Sequence, residues 1–135
     1  MTLYYIASLN HTHKHHEHIV WWGPNHCGHT SVLGEHTGKY TAEEAAKLND
    51  GRDCLAVPED VVRDLDAPEP YFKTSKGALI RFYDQRGRVV ENSPTNWAIL
   101  VERHMPSADL VVRKPEVFRG KRRAAFTLPD QGEQA

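Results

Sequence analysis

A chain of 135 residues, 39% hydrophobic and 26% charged, is long enough for one ordinary domain and too short for two. Seventeen basic and eighteen acidic residues leave a formal charge of −1, which excludes a globally basic nucleic-acid coat and a globally acidic mimic. No apolar run approaches the length of roughly 18 residues that a membrane-spanning helix needs, so no membrane partner is expected.

Leu3 to Leu9, rich in Tyr and Ile, reads as a strand. It carries no Lys or Arg and runs into a polar segment, residues 10–17, so it does not read as a signal peptide. His18 to Trp22 reads as a second strand, broken by Gly23-Pro24-Asn25. The two are expected to pair as an antiparallel hairpin with the His-rich segment at its tip, which places Tyr5 and Trp21 in one sheet. Thr30 to Leu33 is a third short strand, closed by Gly34. Thr41 followed by Glu44 forms a capping box for a helix that Asn49-Asp50-Gly51 stops. Cys54 to Val57 reads as a buried strand, and Pro58 opens a second helix to about Leu65. Residues 67–70 read as a linker. Ala78 to Tyr83 and Arg88 to Val90 are expected to pair through a turn at residues 85–87. Ser93-Pro94 caps a third helix to about His104, in which Trp97, Leu100, Val101 and His104 share one face. Leu110 to Val112 is a candidate strand.

The expected fold is therefore α+β: one small antiparallel sheet carrying about three short helices in a single domain over residues 1–105, followed by a basic C-terminal extension over 106–135. Tyr4, Tyr5, Trp21, Trp22, Phe82 and Trp97 are the bulky core candidates. Adjacent Trp21 and Trp22 point to opposite faces of a strand, so either both faces are covered or one Trp is exposed.

Eight of the nine histidines fall in residues 11–36. In an extended chain His11, His13 and His15 share one face and His16 and His18 the other, and a hairpin brings Cys27 and its neighbours back toward them. His11, His13, His26, Cys27 and His29 are the candidate metal ligands, with zinc the first candidate metal. The run has surplus ligands and no defined zinc spacing, and a solvated polar loop is the competing reading. A phosphoesterase built on two H-x-[ST] motifs is also weighed. His29-Thr30-Ser31 fits one motif, but His11-Thr12-His13 and His36-Thr37-Gly38 fail at the third position. Cys27 has histidines nearby but no identifiable oxyanion element, and Cys54 reads as a core residue, so no catalytic residue is assigned. With two cysteines in no CxxC pair and no export signal, a reducing cytoplasm is the expected compartment.

Charge is unevenly placed. Residues 41–70 carry nine acids against three bases, whereas residues 113–135 carry six bases against three acids. Arg113, Lys114, Arg119, Lys121, Arg122 and Arg123, with Phe118 and Phe126 interleaved, are the candidate partner-binding residues. Their target is a nucleic-acid backbone or an acidic protein surface, residues 41–70 of this chain included. The segment is expected to bury little, so that deleting 113–135 leaves the fold intact.

The chain carries Ser8-Leu9-x-His11-Thr12, Ile19-x-Trp21-x-x-Pro24, Gly38-x-Tyr40, Leu48-Asn49-x-Gly51, Ala56-Val57-Pro58 and Asn96-Trp97. Through these, over about residues 4–100, it resembles small proteins, of no assigned activity, that are encoded in bacterial prophages. His13, His15 and His16 lie outside it. The resemblance implies a phage-encoded accessory protein that acts by binding a protein partner in the host cytoplasm, for example as an inhibitor of a defence system such as a CRISPR effector complex. A metal-dependent hydrolase or nuclease built on the histidine cluster, and a nucleic-acid-binding module using the basic tail, are the alternatives.

Overall fold

In the computed structural model, which describes residues 1–107 and 109–124, the first strand runs Tyr4–Ser8 (β1) and is buried from Tyr5 onward. The chain then passes through the His-rich loop to Trp21–Trp22 (β2), a single turn at Pro24–His26, and the short strands His29–Thr30 (β3) and Leu33–Gly34 (β4). Helix α1, Ala42–Leu48, follows, then Cys54–Pro58 (β5) and α2, Glu59–Leu65. Four more strands, Ala67–Pro68 (β6), Tyr71–Lys73 (β7), Leu79–Arg81 (β8) and Gly87–Val89 (β9), lead to α3, Pro94–Arg103. The fold is α+β, with helices and small antiparallel sheets in one domain.

β1 is the central strand because it is apolar on both faces. It lies between β2 and β5 in a four-stranded antiparallel sheet of order β3-β2-β1-β5, with Ala7 opposite both Trp21 and Leu55. The two-residue side-chain period sends Tyr5, Ala7, Trp21, Leu55 and Val57 to the face that packs α2 and α3. It sends Ile6, Cys54 and Ala56 to the other face, against Ala45 of α1 and Tyr40. Both faces are covered, so Trp21 is fully buried and Trp22, on the α1 side, is half-buried. Tyr5 and Trp21 share this sheet, and their rings meet edge to face at 6.0 Å.

The helix caps form where the residues call for them. Thr41 and Glu44 make the reciprocal capping box of α1, and the Ser93 hydroxyl accepts the Asn96 N–H at the start of α3. Trp97 and Leu100 of α3 are buried in the core, and the Trp97 indole N–H donates to Asn92 Oδ1 at 2.6 Å.

Strand pairing in residues 67–90 differs from the expectation. Leu79–Arg81 pairs not with residues 88–90 but backward with Tyr71–Lys73, Phe72 lying opposite Ile80. The tight turn that makes this pairing is held by Thr74, whose hydroxyl accepts the Ala78 N–H, and by Gly77 at φ +84°. Gly87–Val89 instead pairs with Leu33–Gly34 on one side and Ala67–Pro68 on the other. Gly34 and Gly87 face each other, and a Cβ on either would run into the opposing carbonyl, of Arg86 or of Leu33. Residues 67–70, expected as a linker, thus supply an edge strand, where Pro68 forfeits no needed donor. The result is three small sheets rather than one. Tyr4 is half-buried at the core margin, whereas Phe82, expected in the core, is half-buried outside it against Phe72, His18 and Arg123.

Leu110–Val112 forms no strand. It begins an extended strap, residues 109–124, laid along the body. Leu110, Val112 and Val117 pack against the main core, and the Arg113 N–H donates to Gly51 O at 2.7 Å. The basic extension is thus held by the domain over its described length; residues 125–135, with Phe126, lie outside the described residues. Among the described residues no helix is long and apolar enough to cross a membrane.

Candidate functional site

The His-rich loop is a folded turn. Thr12 is buried at its base, where its hydroxyl donates to Ser8 O at 2.7 Å and accepts the Val20 N–H at 3.0 Å, tying the end of β1 to the segment entering β2. This divides the histidines into two groups. His11 turns back beneath the loop, with Nδ1 2.8 Å from Ser8 Oγ and its ring stacked on His29 at 4.1 Å. Trp22 lies edge-on to His11 at 5.1 Å and also contacts His26, at 4.2 Å. His26 reaches that place because Asn25 and His26 both adopt left-handed backbone, at φ 57° and 56°, with the His26 N–H donating to Tyr40 Oη. Its Nε2 lies 3.6 Å from Cys54 Sγ.

His13 goes elsewhere. It clusters with His15 and His16 at the outer end of the loop, with centroids 5.5 and 5.3 Å away, and donates its N–H to His16 Nδ1. Cys27 is exposed and lines a shallow depression of about 290 Å³ with His29, Glu35 and His36. The five candidate metal ligands are therefore not assembled. His11 and His29 stack on each other, His26 lies against Trp22 and near Cys54, His13 belongs to the outer group, and among the described residues no three His, Cys, Asp or Glu side chains are grouped to hold a metal ion. Donor count was legible in the sequence; the folding of the loop that sends His13 outward and His11 back onto His29 was not. The Thr30 hydroxyl of the single H-x-[ST] match donates to Gln85 Oε1 at 2.6 Å.

The electrostatics follow from burial. His11 and His16 are held below the usual imidazole range, first by burial and then by neighbouring histidines. Burial pushes His18 down to about 4, with Nδ1 2.6 Å from Tyr83 Oη. Burial pushes the Cys54 thiol up to about 12, so it stays protonated and is a poor nucleophile.

The basic tail splits into two sets. Arg122 and Arg123 are fastened down. The Arg122 guanidinium donates to Glu17 O and Asn92 O at 2.8 and 2.7 Å, pairs with Glu91 at 3.1 Å, and lies over the Phe118 ring. Arg123 pairs with the Glu17 carboxylate at 2.8 Å and sits over the Phe82 ring at 3.9 Å. Arg113, Lys114, Arg119 and Lys121 are exposed, and among the described residues their side chains enter no ion pair. Lys114 and Arg119 line an open groove of about 400 Å³ with Lys14, and the Arg119 N–H donates to Lys14 O. Glu116 is the acid in that groove, 3.5 Å from His13 Nδ1.

Two residues that sequence reasoning missed organise this face. Asn92, fully buried, donates its side-chain amide to the carbonyls of His13 and His16 while accepting from Trp97. Its own carbonyl receives Arg122 and the Phe118 N–H. Glu17 holds Arg123. The one available signal was that Glu17 is the sole acid in residues 10–34; Asn92 reads in sequence as an ordinary residue before a helix cap. No family model, curated protein or solved structure matches the chain.

Proposed function

We propose that this protein is a non-enzymatic binding protein that recognises an acidic macromolecular surface through the basic face of its strap. One observation supports the reading. The two tail arginines nearest the described end act as a latch, and the latch presents the remaining cations, Arg113, Lys114, Arg119 and Lys121 with Lys14, to solvent on a fixed backbone. Fixing the backbone beforehand lowers the ordering cost that a free tail would meet on binding. The setting implied by the likeness to prophage proteins is the host cytoplasm, where two free cysteines are in keeping. The function in that setting is inhibition of a bacterial defence complex, CRISPR effectors included, through an acidic surface that the complex or its bound nucleic acid offers.

The test is affinity capture from bacterial lysate with two baits, the wild-type chain and Lys114→Glu/Arg119→Glu/Lys121→Glu. The reading expects a partner retained by the wild type, released by salt, and absent from the variant. Equal capture by both baits would remove the strap from recognition.

A further inference from the structure

We infer that the acidic partner is double-stranded nucleic acid and that the β7–β8 ribbon is the element that enters its groove. This rests on the basic-face reading above and adds the partner's class and a second contact. Residues 71–83 contain Lys73, Lys76 and Arg81 and no acid. They fold as an isolated two-stranded antiparallel ribbon, β7 and β8 pairing only with each other. Its root is packed: Phe72 and Phe82 meet edge to face at 5.3 Å, and Arg81 pairs with Glu69 at 2.6 Å. Its outer part is bare. Ser75, Lys76, Gly77, Ala78, Leu79 and Ile80 are all exposed, Leu79 at 43% and Ile80 at 45%.

The strap ends at that root, where Arg123 lies over Phe72 and Phe82. The strap thus carries cations at the Lys14, Lys114 and Arg119 groove and at the ribbon root, where Arg123 lies, with exposed Lys121 between them in the chain. The acids beside these cations are largely neutralised: Glu17 by Arg123, Glu91 by Arg122, Glu69 by Arg81 and Asp66 by Arg88. Glu116 in the groove and exposed Asp84 are the remaining acids. The chain's net charge of −1 conceals these cations because the acids are concentrated in residues 41–70.

A two-stranded ribbon fits the roughly 12 Å major groove of a duplex, and neighbouring cations hold the phosphates on either side. Exposed aliphatic side chains next to a tip lysine suit contact with the thymine methyl groups that line that groove, while the flanking cations take the phosphates.

Fluorescence anisotropy with a labelled 20-bp DNA duplex of mixed sequence tests this, alongside elution from immobilised heparin. Wild type, Lys76→Glu, Leu79→Ser/Ile80→Ser and the strap triple variant are compared, with circular dichroism checking that each is folded. The inference expects duplex binding in the range of roughly 10⁻⁴–10⁻⁶ M at moderate salt, weakened about fivefold or more by either ribbon variant. Ribbon variants that bind the duplex as tightly as wild type would overturn it. So would a wild type that is retained on heparin through its strap yet ignores the duplex, an outcome that leaves the basic-face reading standing. A wild type retained by neither would overturn both.

Discussion

Asn92 shows how much one buried polar side chain can hold. Its amide bridges two loop carbonyls and the Trp97 indole, and its backbone receives the strap. Removing it leaves the buried Trp97 N–H and the part-buried His16 carbonyl without their partner, while the His13 carbonyl keeps the His16 N–H. Asn92→Ala is therefore expected to cost about 2–4 kcal/mol in urea unfolding, more than a surface change and comparable to a lost core contact. Trp97→Ala is expected to cost about 3–5 kcal/mol by emptying a large aromatic site, and a loss under about 1 kcal/mol would contradict its burial. His18 sets a pH dependence. It is held neutral in the folded chain, with its pKa lowered to about 4, and regains the ordinary value of about 6.5 on unfolding. Unfolding between those values takes up a proton, so stability is full above about pH 6.5 and falls as pH drops toward 4, by about 3 kcal/mol at most from this residue. His11 and His16, also lowered, act in the same direction. His18→Gln should flatten the pH 4–6.5 slope of stability; an unchanged slope would assign it to other groups.

At the level of elements, what could be read from sequence was what local signals determine. β1 and β5 are compact apolar runs, and α1 and α3 carry their own capping residues, so these were found close to their observed limits, whereas the second strand, expected over His18–Trp22, is only Trp21–Trp22. Pairing was harder. The return of β8 onto β7 depends on the Thr74 turn, and the β4–β9 contact depends on two glycines 53 positions apart. The candidate site was half legible: the tail cations were visible as a charge run, but which of them latch depends on Glu17 and Asn92, far away in sequence. The strap itself was misjudged because Pro, Gly and charge suggested a solvated tail, whereas Leu110, Val112 and Val117 give it an apolar edge. Deleting residues 113–135 is accordingly expected to leave a folded chain that is less stable by about 2 kcal/mol or more, through lost burial of Val117 and exposed strap-binding groups. Urea midpoints of the truncated and full chains check this, and equal midpoints would show the strap to be energetically detached.

For the whole molecule, the account depends on the strap being part of the domain. The described chain is polarised. The polarity is one of sequence: acids gather on residues 41–70, and the basic strap that is fastened to Gly51 of that segment leads away from it to the β7–β8 ribbon. Glu17→Ala, which removes a carboxylate only 11% exposed that accepts both the Arg123 N–H and its guanidinium, should lower global stability by about 1–2 kcal/mol. Arg122→Ala should do more locally, since it releases the carbonyls of Glu17 and Asn92 together. Amide hydrogen exchange measures this most directly. The N–H groups of Arg113, Phe118 and Arg119, bonded to Gly51, Asn92 and Lys14, are expected to be protected in the wild-type chain. In Arg122→Ala the Phe118 and Arg119 amides should lose that protection while the β1 and β5 amides keep theirs. Strap amides that exchange at the rate of an unfolded chain in the wild type would contradict the account.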